Sequence, residues 1–195
     1  MGKILEHHHD LYTVERYCID QLQKGVFQKN HPFREMVLTT AWQHEPDARL
    51  VICRKVERAP FNLEAYSDQR TAKVKAIRDN PRATLLFWHP KGKFQLKIKA
   101  AVSMHCCDEV ALAAWKGVTA EGRASYNSVV APGTGYPGVA WQKAALNDEL
   151  KSEEFVVVRC KVQYMEALQL SRAGHIRAGF SYENDSLLSA NFLVP

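Results

Sequence analysis

Long apolar runs are missing from this chain of 195 residues. The uninterrupted ones are as short as Leu85-Leu-Phe-Trp88, too short to span a bilayer. The N-terminal stretch is polar at His7-His-His-Asp10 and lacks the apolar core of a signal peptide, so a cytoplasmic, non-membrane protein is expected. Runs of basic residues interleaved with aromatics are also lacking: the net charge of +5 is spread among 21 acidic residues, which argues against a nucleic-acid partner. The five cysteines contain no C-x-x-C pair and form no even framework, as expected of reduced thiols. Consecutive histidines near a terminus cannot close a proper coordination sphere, so no metal site is expected. No G-x-G-x-x-G is present, which disfavours a dinucleotide-binding doubly wound fold. Internal repeats and low-complexity tracts are absent. An apolar share of 46% with 24% charged residues is that of a globular chain, read as one domain over 1–195.

What is present reads mainly as β-structure with flanking helices. Leu11, Val14, Cys18, Leu22 and Val26 recur at helical spacing behind a possible N-cap, Asp10, and predict a helical N-terminal segment over about 11–29, with Gly25 and Asn30-His-Pro32 as its stop. Met36, Leu38, Thr40 and Trp42 share the parity of a strand; Gln43–Asp47 reads as a turn and Arg49–Val56 as the next strand. A turn at Ala59–Asn62 leads to a strand at Leu63–Ser67, then a short helix at Arg70–Asp79 stopped by Asn80-Pro81. Phe94, Leu96, Ile98, Ala100 and Val102 alternate with Lys93, Gln95, Lys97 and Lys99, one face apolar and one wet. Helices are expected at Cys107–Lys116, within Ala120–Val130 and at Trp141–Leu150, and C-terminal strands over about 155–194. Close strands with short turns predict a barrel or sandwich. The Pro/Gly-rich stretch Ala131–Gly138 is either a lid, with Tyr136 and Trp141, or a plain connector. Cys106-Cys107 reads as a buried strand-to-helix corner, since neighbouring cysteines make a strained disulfide.

The most informative stretch is Arg49-Leu-Val-Ile-Cys-Arg54, read as a buried strand with an arginine at each end, followed by Tyr66-Ser-Asp-Gln-Arg-Thr-Ala-Lys73. Strand ends and a helix N-terminus can converge there, offering cations, hydroxyls and free backbone N–H groups to a phosphate. Arg70, Thr71 and Lys73 stand at the helix start, and Ser67 adds a hydroxyl. The amide of Gln95 can donate and accept together, which suits a flavin or pyrimidine-like edge.

Arg49-x-x-x-x-Arg54, Tyr66-Ser67, Arg70, Asn80-Pro-Arg82-Ala-Thr-Leu-Leu-Phe87, Gln95 and the closing Phe192-Leu-Val-Pro195 together resemble the pyridoxamine 5'-phosphate oxidase superfamily of FMN-binding split barrels. The resemblance implies a split β-barrel, FMN as cofactor, and a homodimer with flavin at the interface, so that C-terminal strands reach the partner's flavin. It implies that Arg49 and Arg70 hold the FMN phosphate beside Tyr66 and Ser67, with Thr71 and Lys73 at the same turn. Leu50, Val51 and Ile52 would run along the flavin, and Arg54 and Gln95 would reach the ring. On the small-molecule substrate side it implies Trp115, Arg123, Ser125, His175 and Arg177; no catalytic acid or base is assigned. Thr71 stands where the family has a lysine, Leu168 and Leu170 where it has a tryptophan, and His175-Ile-Arg177 reverses its Arg-x-His pair. The chain therefore resembles the shorter oxidase-related proteins more than the vitamin-salvage oxidase. A flavin-dependent oxidoreductase is the expected function. The alternatives are the authentic pyridoxamine/pyridoxine 5'-phosphate oxidase and a non-catalytic flavin- or haem-binding protein using His175 or one of His7–His9.

Overall fold

Asp10 acts as the N-cap its position predicts: its carboxylate accepts from the Thr13 backbone N–H at 2.7 Å and opens helix α1, Leu11–Phe27. Val14, Cys18 and Leu22 form its buried stripe. Gly25 does not stop this helix, which runs two residues further. It is the point where the helix backbone meets the Phe33 carbonyl, into which any Cβ would run. A 3-10 turn at Pro32–Arg34 places Phe33 against Phe87 and Phe94, at ring separations of 5.1 and 6.0 Å.

The computed structural model describes residues 5–6, 8–135 and 152–195. After α1 come strands β1 (Glu35–Trp42), β2 (Glu45–Ile52), β3 (Lys55–Arg58) and β4 (Phe61–Asp68), then helix α2 (Ala72–Asp79), β5 (Arg82–His89) and β6 (Phe94–His105). Helices α3 (Glu109–Lys116) and α4 (Ala120–Ala124) follow, and β7 (Phe155–Gln169), β8 (Ile176–Glu183) and β9 (Ser186–Leu193) end the chain. The expected helix at Trp141–Leu150, and Tyr136, Gly138 and Trp141 of the expected lid, lie outside the described residues.

All pairings are antiparallel, in the order β2-β1-β5-β6-β7-β4-β3, with β8 added to the far half of β7 and β9 to β8. The two ends of this path are consecutive in the chain. The expected single strand Arg49–Val56 is broken at Cys53-Arg54, because the backbone changes partners there: Cys53 N–H goes to the Arg34 carbonyl and Arg54 N–H to the Glu64 carbonyl. The sheet thereby curls on itself. A register shift at Lys99/Ala100, where Val162 and Tyr164 are the paired residues and Gln163 is extra, bends it further.

The expected long turn at Gln43–Asp47 shrinks to Gln43-His44, both at positive φ, and Glu45 already pairs with Trp42. Leu50-Val51-Ile52, expected to be buried, is not: Leu50 is 67% exposed and only Cys53 of the run is in the core. β2 ends the sheet path with β1 as its ladder partner, and among the described residues Leu50 is left open to solvent. In β6, by contrast, the predicted apolar parity is buried at Phe94, Leu96, Ile98, Ala100 and Val102. A second, smaller cluster of Ala111, Trp115, Phe155 and Val157 docks α3 on the near half of β7. Among the described residues no helix is long and apolar enough to cross a membrane.

Gly25→Ala forces its methyl group against backbone that cannot swing aside. We expect a loss of about 1–3 kcal/mol in urea unfolding; a change within error would mean that α1 and the Phe33 turn can separate freely.

Candidate functional site

The end of β4 and the start of α2 are joined by a chain of hydroxyls. Thr71, the α2 N-cap, donates its O–H to the Asp68 carbonyl at 2.8 Å, which leaves its oxygen to accept from Ser67 at 3.2 Å. Ser67 Oγ in turn accepts from Lys73 Nζ at 3.2 Å. Thr71 makes no side-chain cap hydrogen bond to α2, so the positive end of the helix dipole adds to the same spot. From β2, Arg49 donates to the Leu38 carbonyl (3.1 Å) and Thr40 Oγ1 (2.9 Å), and pairs with the exposed Asp47. Burial first, then the Arg49 cation, holds the Lys73 ammonium below its usual pKa. Among the described residues no carboxylate forms an ion pair with Lys73.

These groups line one wall of a groove of about 330 Å³, within the range of small-molecule sites. Leu50, Val51 and Ile52 line it from β2. Arg54 lies over the Tyr66 ring at 5.5 Å, and both border it. Burial and the Glu64 carboxylate hold the Tyr66 hydroxyl above its usual range, making it a neutral donor. Ser125, Tyr126 and Pro132 close the far side. Tyr126 is held there by Phe155, at a ring separation of 5.0 Å, and Phe155 also packs on Tyr66 at 4.9 Å and Trp115 at 5.1 Å.

Of the expected cofactor residues, the groove gathers Arg49, Leu50, Val51, Ile52, Arg54, Tyr66, Ser67, Thr71 and Lys73, but not Arg70 or Gln95. Arg70 is turned the other way, its guanidinium bound to the buried Asp68 carboxylate and to the Ser128 carbonyl at 3.0 Å. These contacts brace the turn after β4 against Ser128. Gln95 is on β6, in register with Leu168 of β7 and, through it, with Arg177 of β8. Arg177 is fixed by Glu166 at 2.9 Å, which also binds Lys97 at 3.0 Å.

Of the expected substrate residues only Ser125 borders the groove. Arg123 stacks on Trp115 (5.2 Å) and donates to the Trp115 and Lys116 carbonyls at 3.0 and 3.3 Å, closing the end of α3. His175 and Arg177 border a separate recess with Phe192 and Pro195. His175 Nδ1 accepts from the Ser171 N–H at 3.1 Å. Tyr126 and Pro132 were not foreseen. No periodicity marks them, and only the docking of α3 on β7 brings them across the groove.

A curled antiparallel sheet with this strand order has the architecture of a split barrel, and comparison bears out the fold. Residues 17–105 match the family model "Pyridoxamine 5'-phosphate oxidase, FMN-binding domain", and the resemblance seen in the sequence is thereby shown. The matched segment carries every groove residue except those between α4 and residue 132. Among solved structures, a pyridoxamine 5'-phosphate oxidase-related, FMN-binding protein of Nostoc punctiforme is similar at TM-score 0.72 and 16% identity, over 91% of this chain and 95% of that one. PhzG of Burkholderia lata, solved with tetrahydrophenazine-1-carboxylic acid, gives 0.69 and 12% over 94% and 92%. General stress protein 26 of Bacillus anthracis gives 0.52 and 12% over 79% and 99%. At these identities the likeness is one of fold. No curated protein matches the sequence.

Two substitutions separate anion binding from turn structure. Lys73→Met removes a confined cation, so the ligand-free protein should melt no lower than the parent while FMN affinity falls at least about tenfold, the worth of a charge-assisted contact. Arg70→Ala strands the buried Asp68 carboxylate and should cost about 3 kcal/mol in thermal unfolding. If Lys73→Met binds FMN as the parent does, the cradle has been misplaced.

Proposed function

We propose that the groove binds FMN and that the protein is a flavin-dependent oxidoreductase of the pyridoxamine 5'-phosphate oxidase-like kind. The observation that carries this is the anion-hungry corner at the start of α2. There Lys73 and Arg49 stand close enough for one to depress the other's proton affinity, beside the Ser67–Thr71 hydroxyl pair and an uncapped helix. A phosphate monoester dianion relieves that repulsion and accepts the remaining Lys73 protons. With the phosphate in that corner, Leu50, Val51 and Ile52 would line the ring system and Arg54 and Tyr66 would border it. Bound FMN supplies reversible two-electron chemistry; the chain's part is to anchor, orient and keep water from the ring.

A homodimer belongs to the same proposal. Leu50 is solvent-exposed at the lip of the groove, and on β9 Leu188 and Phe192 are exposed as well, apolar surface of the kind a second subunit covers. A second copy would bring its Gln95–Leu168–Arg177 row, or the His175 recess, to the open side of the groove. The five free thiols accord with a cytoplasmic setting. The engagement of Arg123 by the α3 carbonyls favours an oxidase-related protein over the authentic oxidase, since that guanidinium is already committed.

The purified protein should carry, or take up, FMN in a one-to-one ratio with the chain and elute as a dimer. FMN should bind more tightly than riboflavin near neutral pH. That advantage should shrink as pH rises through the lowered pKa of Lys73, because the neutral amine no longer attracts phosphate. Equal affinities at every pH, or a haem spectrum in place of flavin bands, would overturn the FMN reading. Turnover of pyridoxamine phosphate with oxygen would instead identify the authentic oxidase.

A further inference from the structure

The corner between β6 and α3 holds the two cysteines of the chain that reach solvent; Cys18, Cys53 and Cys160 are buried. The sequence predicts a buried corner, and the structure corrects this: Cys106 is half-buried and Cys107 exposed. Adjacent side chains on extended backbone point to opposite faces. Cys107 escapes this through a left-handed backbone, φ 58°, which turns both thiols towards the Glu153 carbonyl at 3.4 and 3.9 Å and sets the sulfurs 3.6 Å apart. The flanks are pinned. His105 is the last paired residue of β6 and binds Asp108 at 2.8 Å, and Asp108 caps α3 through the Ala111 N–H at 2.9 Å.

That spacing discriminates among ligands. A disulfide needs the sulfurs at about 2.05 Å and strains an adjacent pair. A soft atom with bonds to sulfur of about 2.3 Å spans about 3.5–3.8 Å at bond angles of 100–110°, but about 4.6 Å when its coordination is linear. The observed separation fits a pyramidal or tetrahedral centre.

We propose that Cys106 and Cys107 form a vicinal-dithiol site that takes trivalent arsenicals, one arsenic bridging both sulfurs. With an organoarsenic(III) oxide the balance is closed without redox change. Two S–H bonds and the arsenic–oxygen bonds break, two As–S bonds form, and the oxygen leaves as water carrying both thiol protons. Burial and the neighbouring thiol raise Cys106 to about 11, which handicaps reagents that need a preformed thiolate. An arsenic oxide supplies its own proton acceptor. The site is distinct from the groove, whose lining includes neither cysteine.

The test is titration of the native protein with phenylarsine oxide. Two accessible thiols should disappear per arsenic bound, as one adduct per chain in intact mass. The adduct should be reversed by dithiothreitol and survive an equivalent amount of monothiol. Peptide mapping should place it on Cys106-Cys107, and Cys106→Ser or Cys107→Ser should each weaken binding at least about a hundredfold through loss of the second, intramolecular bond. Adducts on Cys18, Cys53 or Cys160, one thiol lost per arsenic, or a serine variant binding as tightly as the parent would each overturn the proposal. Mapping on the native protein decides the matter even where a variant fails to fold.

Discussion

Strand β7 is the constraint on which the molecule depends. Its first half, from Phe155 to Lys161, pairs with β4; its second half, from Tyr164 to Gln169, pairs with β8; and β6 runs beside both halves. One continuous backbone thus belongs to two differently directed parts of the sheet, and the extra residue Gln163 is where the direction changes. β4 is fixed by β7, and α2 starts where β4 ends, so the pose of the anion corner is set from a strand more than eighty residues away in sequence. Phe155 extends the same control to the opposite wall, through its contacts with Tyr66, Trp115 and Tyr126.

Electrostatics in the groove works through deliberate imbalance. Several cations outside it are matched by carboxylates: Arg159 binds the buried Glu64, and Glu166 is shared by Lys97 and Arg177. Arg70 and Asp68 neutralise one another beside the corner. Lys73 alone among these cations is held by a hydroxyl and faces another cation, a cost to the free protein that an anion would offset. The division of labour between Arg70 and Lys73 is steric in origin. Asp68 accepts from the Arg70 backbone N–H at 2.8 Å, and this short loop turns the arginine side chain back onto the same carboxylate.

Much of the fold was legible because its signals are local. The Asp10 cap, the α1 stripe and the alternation in β6 follow from spacing alone, and Ser67, Thr71 and Lys73 were legible as a set because only three residues lie between the end of β4 and the start of α2. Where the reading failed, a distant partner was responsible. Arg49–Val56 looked like one strand until the Arg34 and Glu64 carbonyls divided it, and Leu50 looked buried because apolar runs usually are. Gly25 looked like a helix stop, whereas its missing side chain admits the Phe33 carbonyl. Arg70 looked equivalent to Lys73 because sequence records the charge and not the direction in which it points.

Read by itself, the chain determined most of its described elements, among them α1, β1, α2 and β6, and the set of cations and hydroxyls around the start of α2, since both rest on interactions within a few residues. Tertiary structure alone decided which cations face the groove, that Tyr126 and Pro132 close it, that Arg123 closes a helix end instead, and that two adjacent thiols share one direction. Those outcomes depend on where β7 bends and on which carbonyls lie within reach, and no local pattern encodes a contact made by residues a hundred positions apart.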